Sequence, residues 1–399
     1  MATVISSIAR TPIGRFRGGF TPFTAMDLGG FAIAAALERA SITGEQIDEV
    51  LFGHVIQTGQ GQVTGRQAAF RGGIPMAVPS TTIDKACLSG TATIADADLH
   101  IRAGESRIVM AGGMESMTNA PHILNGARFG YSYGGTELVD SLNQDGLMCA
   151  FDHVLMGAST DANNLKLGID RSEQDEWAAA SHERAIAATE SGAFDDEIVP
   201  VEVPQRRGAP ILIDHDEGMR PGTTTETLGK LRAAFSDDGT ITAGNASQIS
   251  DGAAALVVAD RGAAEELGMP ILAEIVAYGQ TAGPDTSLQA QPANALRVAL
   301  GKTSLDVSDL DLVEINEAFA CVPLVSTKLA VGNDDSTLKA VRNRTNINGS
   351  AIAIGHPNTA SGARIVMTLM YELKRRGGGM GAAGICGGLA QADAAIIRV

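Results

Sequence analysis

The stretch Asp84-Lys85-Ala86-Cys87-Leu88-Ser89-Gly90 decides how this chain is read. The stretch before it, from Val78 to Ile83, reads as an apolar run broken by Pro79 and by Thr81 and Thr82. Residues 91–102 after it place apolar side chains at helical spacing. The pattern is strand, turn, helix, with Cys87 in the turn. Ser89 and Gly90 are small, so other backbone can come close. A helix N-terminus carries unpaired N–H groups and a positive partial charge, so a cysteine there is expected to lean toward thiolate. Taken alone, the stretch fits a small buried apolar cysteine equally well.

Working outward, 399 residues can fill more than one domain-sized core. The net charge of −16 argues against nucleic-acid partners and against anionic membrane surfaces, so an anionic ligand would need a local basic site. The four cysteines (Cys87, Cys149, Cys321, Cys386) form no Cys-x-x-Cys pair. They read as reduced thiols of a cytoplasmic protein, with no zinc ribbon and no disulfide framework. The first residues read directly as a strand, without a signal-peptide core, and no apolar run reaches membrane-spanning length.

Residues 4–8 and 50–55 read as strands, 26–40 as a helix and 67–71 as part of another, and 107–113 as a buried strand ending on glycines. Strands alternating with helices imply a layered α/β fold with parallel pairing. From about 117 to 248 the pattern weakens. Tyr131, Tyr133, Gly134 and Gly135 mark a loop, a helix opens at Arg171 with Ser172 as its expected N-cap, residues 199–213 are strand-like, and 216–230 are irregular. This region reads as an insertion, a common place for a binding surface. Residues 251–259 return to a core strand, and 312–320 run from strand into helix. A last helix is expected from Ser361-Gly362-Ala363 to about Lys374, followed by a strand over 394–397. Cys87 with Ser89-Gly90 in one half matches His356 with Ser361-Gly362 in the other, which points to two similar halves related by a pseudo-twofold. The expected organisation is a first half of 1–116 with 249–270, an inserted loop domain over 117–248, and a second half of 271–399.

Four positions fit one chemistry. Cys87 is a candidate nucleophile, and His356 a candidate base and oxyanion donor. Asn316 is a neutral polar group at a strand end. Cys386, read as lying in the glycine turn Gly384-Ile385-Cys386-Gly387-Gly388, is a second thiol suited to proton transfer at carbon. The glycines leave N–H groups free to hold an oxyanion. A lone histidine is more often structural, and Asn316-Glu317 alone could be a helix cap.

Together the motifs resemble the thiolase family over essentially the whole chain. They are CLSG at 87–90, AGGMESMTNAPH at 111–122, NASQISDGAA at 245–254, NEAFA at 316–320, NGSAIAIGHP at 348–357 and CGG at 386–388. The run at 114–121 is similar to the branch that condenses two acetyl-CoA. The resemblance implies a thiolase-like fold of two α-β-α-β-α halves with an inserted loop domain, and reversible acyl transfer between CoA thioesters through an acyl-Cys87. Cys386 would then move the α-proton. His356, with a water held by Asn316, would steady the enolate oxygen, and the N–H groups of Cys87 and Gly388 would form a second oxyanion hole. The implied CoA and substrate contacts are Arg220 and Thr227 at the nucleotide, Ser247 at the pantetheine, Met156 and Phe235 around the acyl group, and Ala318 and Phe319 of the NEAFA motif. CoA enters as cosubstrate, with no permanently bound cofactor and no metal. The loop around 126–146 is similar to the family's tetramerisation loop, so a homotetramer is expected. The chain departs from the family in three places: Asn358-Thr359 stands where Ile-Gly or Leu-Gly is usual, Leu155 where many members have His, and Leu389-Ala390-Gln391-Ala392 where glycines are usual. The alternatives are a degradative enzyme for longer 3-ketoacyl chains and an inactive acyl-CoA-binding relative.

Overall fold

Every residue of the first strand, β1 (Thr3–Arg10), is buried, which requires cover on both faces of its sheet. The computed structural model describes residues 2–332 and 334–399. The main elements of the first part are β1, α1 (Ala25–Ala40), β2 (Glu49–Gly53), α2 (Thr64–Arg71), β3 (Ser80–Ile83), α3 (Ser89–Ala103) and β4 (Ile108–Ser116). A long excursion carries α4 (Met156–Leu167) and α5 (Arg171–Glu190) before the chain returns in β5 (Ser250–Asp260). Then come β6 (Ala273–Ala282), α6 (Gln291–Leu300), β7 (Leu312–Ile315), α7 (Cys321–Val331), α8 (Asn358–Arg375), β8 (Met380–Gly387) and β9 (Gln391–Arg398).

Among the described residues the strands form one ten-stranded sheet in the order β7-β8-β9-β6-β1-β5-β4-β2-β3, with the short strand Gly14–Arg15 beside β5. Its connectivity repeats. In the first half β1 lies antiparallel to β5 and β5 to β4, while β2 runs parallel to both β4 and β3. In the second half β6 lies antiparallel to β9 and β9 to β8, while β7 runs parallel to β8 and to a single bridge at Thr345. The halves meet where Val4 and Ile5 pair antiparallel with Glu274 and Ala273. The expected pseudo-twofold is therefore present in the hydrogen bonding.

Three cores define the layers. Leu28 and Ile33 of α1 and Ala68 of α2 pack on Val4, Phe52 and Val257. Ile94 and Ile101 of α3 and Ile365 and Leu369 of α8 fill the middle, between Val109 and Leu256 on one side and Ile385 and Ile397 on the other. Leu296 of α6 and Val322 of α7 close the far side against Val313 and Ile396. The order is α-β-α-β-α, with α3 and α8 as the shared central layer. These two helices touch at their starts: a Cβ on Gly90 would stand 2.3 Å from the Thr359 carbonyl oxygen, and one on Gly362 would stand 2.7 Å from the Thr91 nitrogen. The two Ser-Gly helix starts thus meet across the pseudo-twofold.

Some local expectations shift. The N-cap of α5 is Asp170, whose carboxylate accepts from the Ser172 N–H; Ser172 lies inside the helix. The stretch 199–213 resolves into the antiparallel strands Val201–Val203 and Ile211–Ile213. Helix α8 starts at Asn358, ahead of Ser361, because Pro357 supplies a compatible φ and its missing N–H costs nothing there. No helix among the described residues is long and apolar enough to cross a membrane.

Candidate active site

Cys87 lies between the end of β3 and the start of α3. The Ser89 hydroxyl closes this turn, donating to the Ala86 carbonyl at 2.7 Å and accepting from the Lys85 N–H at 2.9 Å. Ala86 is left-handed at φ 50°, which costs a non-glycine residue about 1–2 kcal/mol. The ion pair of Lys85 Nζ with Asp393 Oδ1, at 2.7 Å, ties the turn to β9 of the other half.

His356 occupies the matching place in the second half, between the helical turn Ala351–Ile354 and α8. Gly355 before it has φ 118°, and a Cβ there would meet Ser250 Oγ at 2.4 Å, so only glycine fits. The His356 N–H donates to the Gln248 carbonyl at 3.1 Å. Its ring stands between Ser361 Oγ, 2.6 Å from Nδ1, and Asn316 Nδ2, 3.4 Å from Nε2. An amide nitrogen can only donate, so Nε2 is the accepting nitrogen and Nδ1 carries the proton. Burial, with the charge of Arg364, lowers His356 to about 3 and keeps the ring neutral. Asn316 Oδ1 is buried without a partner. The neighbouring Glu317 is no helix cap: it accepts from Trp177 Nε1 (2.8 Å), Ser181 Oγ (2.7 Å), Asn346 Nδ2 (3.0 Å) and the Ile352 N–H (3.2 Å), which fixes the segment that presents Asn316.

Cys386 lies on β8, one residue before the strand ends, and not in a turn. The glycine after it serves close packing: a Cβ on Gly387 would stand 2.6 Å from Leu88 Cγ, beside Cys87. The true turn follows, and there Leu389 and Ala390 both take left-handed φ values, 61° and 50°.

These elements converge on one cavity of about 380 Å³. Cys87, His356, Cys386 and Gly388 line it, together with Met156, Ser247, Ala318 and Phe319. Asn316 stands behind His356, and Phe235 packs edge-on against Phe319 with ring centroids 6.5 Å apart. Arg220 and Thr227 do not line the cavity; both are exposed. Arg220 Nη2 donates to Gln248 Oε1 at 3.2 Å, one residue from Ser247, while the Thr227 hydroxyl serves the Thr224 capping box. Leu155 also lies outside the cavity wall, as the N-cap of α4. Sequence reasoning did not select Asn358, Leu288, Leu389 or Gln391, which line the cavity as well. The signal for Asn358 and Leu389 was their departure from the family pattern. No group of three or more His, Cys, Asp or Glu among the described residues is placed to hold a metal ion.

The electrostatics correct one expectation. Burial pushes the Cys87 thiol up to about 12, with a further push from Glu115, while the N–H groups of Cys87 and Gly388 pull the other way. Desolvation outweighs the helix terminus, so the resting nucleophile is a thiol. Burial also raises Cys386, as do the neighbouring Cys87 and Cys321.

Residues 3–262 match the family model for the thiolase N-terminal domain, and 269–399 the model for the thiolase C-terminal domain. The chain is 50% identical to a probable acetyl-CoA acetyltransferase of Mycolicibacterium smegmatis over 390 residues, 98% of each chain. It is 44% identical to the acetyl-CoA acetyltransferase of Cupriavidus necator over 384 residues, 96% of this chain and 95% of the relative. The crystal structure of the Bacillus anthracis acetyl-CoA acetyltransferase superimposes with a TM-score of 0.94 at 37% identity, covering 100% of this chain and 98% of that one.

Proposed function

The chain belongs to the thiolase family, and from that premise we propose that it is an acetyl-CoA C-acetyltransferase. It would interconvert two acetyl-CoA with acetoacetyl-CoA and free CoA. The observation that carries this reading is the convergence of Cys87, His356 and Cys386, from three separate elements, on one cavity.

In the thiolysis direction, neutral His356 takes the Cys87 proton on Nε2 as the sulfur attacks the keto carbon. The C2–C3 bond breaks, the acetyl group stays on Cys87, and the electron pair leaves with acetyl-CoA as its enolate. Cys386 gives that enolate its proton. The thiol of CoA gives its proton to the Cys386 thiolate as its sulfur attacks the acetyl-Cys87 thioester; the C–S bond to Cys87 breaks, a second acetyl-CoA leaves, and the Cys87 sulfur takes back the proton held on His356. The N–H groups of Cys87 and Gly388 act on the oxyanion of the acyl-cysteine steps. The unpartnered Asn316 Oδ1 suits a water that, with His356, steadies the enolate oxygen. Exposed Arg220 would meet the CoA phosphates, the local basic group that an acidic protein needs for a polyanion. Leu389, lining the cavity where the family has glycine, favours the short acyl group over the longer chains of a degradative enzyme. CoA is a cosubstrate here, with no permanently bound cofactor. A cytoplasmic setting, a place in fatty acid metabolism and a homotetramer belong to the same reading.

A spectrophotometric thiolysis assay with CoA and 3-ketoacyl-CoAs of increasing length tests it. Turnover should be greatest on acetoacetyl-CoA. Faster turnover of longer chains would move the chain to the degradative branch, and CoA binding without turnover would make it an inactive relative.

A further inference from the structure

Asn358 is where the chain leaves its family's pattern, and it touches the nucleophile. It begins α8 directly after His356-Pro357, is 2% exposed, and lines the same cavity. The Cys87 thiol donates to Asn358 Oδ1 across 3.7 Å. Asn358 Nδ2 is buried with no partner, and a Cβ added at Gly146 would stand 3.3 Å from it. A buried amide donor left idle is costly unless another state of the protein uses it. Thr359, the second departure, donates to the Met114 carbonyl at 2.6 Å and holds the backbone at that point.

A carboxamide has two faces. A half-turn about its last torsion exchanges acceptor for donor at almost constant shape. Oδ1 on the sulfur suits a thiol, which has a proton to give. Nδ2 on the sulfur suits a thiolate, which has only lone pairs. The usual Ile or Leu at this position can do neither.

The geometry points to Asn358 as a positioning residue for Cys87, accepting from the resting thiol through Oδ1 and turning Nδ2 onto the sulfur when the thiolate forms. The inference rests on Cys87 being the nucleophile of the proposed reaction. The proton passes from Cys87 Sγ to His356 Nε2, the sulfur keeps the electron pair, and no covalent bond to Asn358 forms. The other groups around the sulfur make a further donor count. Asp84 brings negative charge toward it, Glu115, raised to about 8 by burial, gains its charge within the pH range of the test below, Cys386 and His356 are neutral, and Asp145 lines the cavity. The Lys85 ammonium is held by Asp393, which leaves the Cys87 and Gly388 N–H groups as the other donors.

Asn358→Leu and Asn358→Asp keep the branched shape, so access to the sulfur is preserved. Alkylation of Cys87 by iodoacetamide in the full-length protein, located by peptide mass mapping, is followed from about pH 7 to about pH 10, where its rate scales with the thiolate fraction. Asn358→Leu should react roughly tenfold or more slowly than wild type, because a hydrogen bond to a charged group outweighs the weak bond a thiol gives. Asn358→Asp should be slower still, since a carboxylate only accepts and repels the thiolate. An Asn358→Leu rate equal to or above wild type would overturn the proposal, because the amide would then serve only to hold the thiol. An unchanged rate in Asn358→Asp would overturn it as well. Alkylation needs no turnover, so this result is independent of the thiolysis assay.

Discussion

At the scale of the residue, the two thiols of the cavity differ in what their surroundings ask of them. Cys87 is half-buried, touches an amide acceptor, and is raised to about 12 chiefly by desolvation. Its alkylation in the free protein should therefore climb about tenfold per pH unit between about pH 7 and pH 10, with no plateau. A plateau near neutrality would restore the thiolate that the helix terminus alone led one to expect. Cys386 is fully buried and sits at the end of a strand. Cys386→Ala should still be acylated at Cys87 by acyl-CoA but should lose exchange of the α-protons of acetyl-CoA by about 10²–10⁴-fold, the span of a general acid–base group. Normal exchange would remove Cys386 from the proton transfer. The identity of both thiols was legible in the sequence; their protonation was not, because it follows from burial and from electrostatic pushes that add to it from distant chain segments, Glu115 on Cys87 and Cys321 on Cys386.

At the scale of the element, the site depends on how closely α3 and α8 approach. Gly90 and Gly362 allow the two helix starts to cross with backbone nearly touching backbone. A methyl group on Gly90 would fall 2.3 Å from the Thr359 oxygen and 2.7 Å from the Ala363 nitrogen, so the helices must part. Gly90→Ala should destabilise the protein by about 1–3 kcal/mol in chemical denaturation. It should also slow thiolysis by up to about 10²-fold, because Cys87 rides on one helix start and His356 precedes the other. Full activity with unchanged stability would show that the crossing is not what aligns them. The pairing of Ser89-Gly90 with Ser361-Gly362 was visible in the sequence as a repeat. The setting of Cys386 was misread for a physical reason. Clustered glycines usually signal a turn, but Gly387 of β8 gives room to Leu88, and the turn itself is built from Leu389 and Ala390 in a left-handed conformation that favours glycine.

At the scale of the whole molecule, the repeated strand connectivity puts both reactive helix starts in the central layer, while the excursion between β4 and β5 supplies Met156 and Ser247 to the cavity wall. The sequence outlined the two halves because each carries its own strand, turn and helix pattern. It could not reveal that Arg220 and Thr227 stay at the surface, since their positions follow from long-range packing. The same excursion displays aromatic side chains that the fold leaves uncovered: Phe129 is 93% exposed and Tyr133 fully so, with Leu138 at 63% nearby. Large apolar groups clustered on one loop of an acidic chain mark an association surface, and the proposed tetramer supplies a second copy of that loop as its cover. Sedimentation velocity should find a tetramer, and the double substitution Phe129→Ser, Tyr133→Ser should reduce it to dimers. Because each chain carries a net charge of −16, self-repulsion opposes assembly, and added salt should favour the tetramer by screening it. Cys87, His356 and Cys386 all belong to the same chain, so thiolysis per protomer should change little in the dissociated variant. A wild-type protein that sediments as a dimer at every salt concentration would remove the loop from assembly, and a collapse of activity on dissociation would mean that a neighbouring copy completes the site.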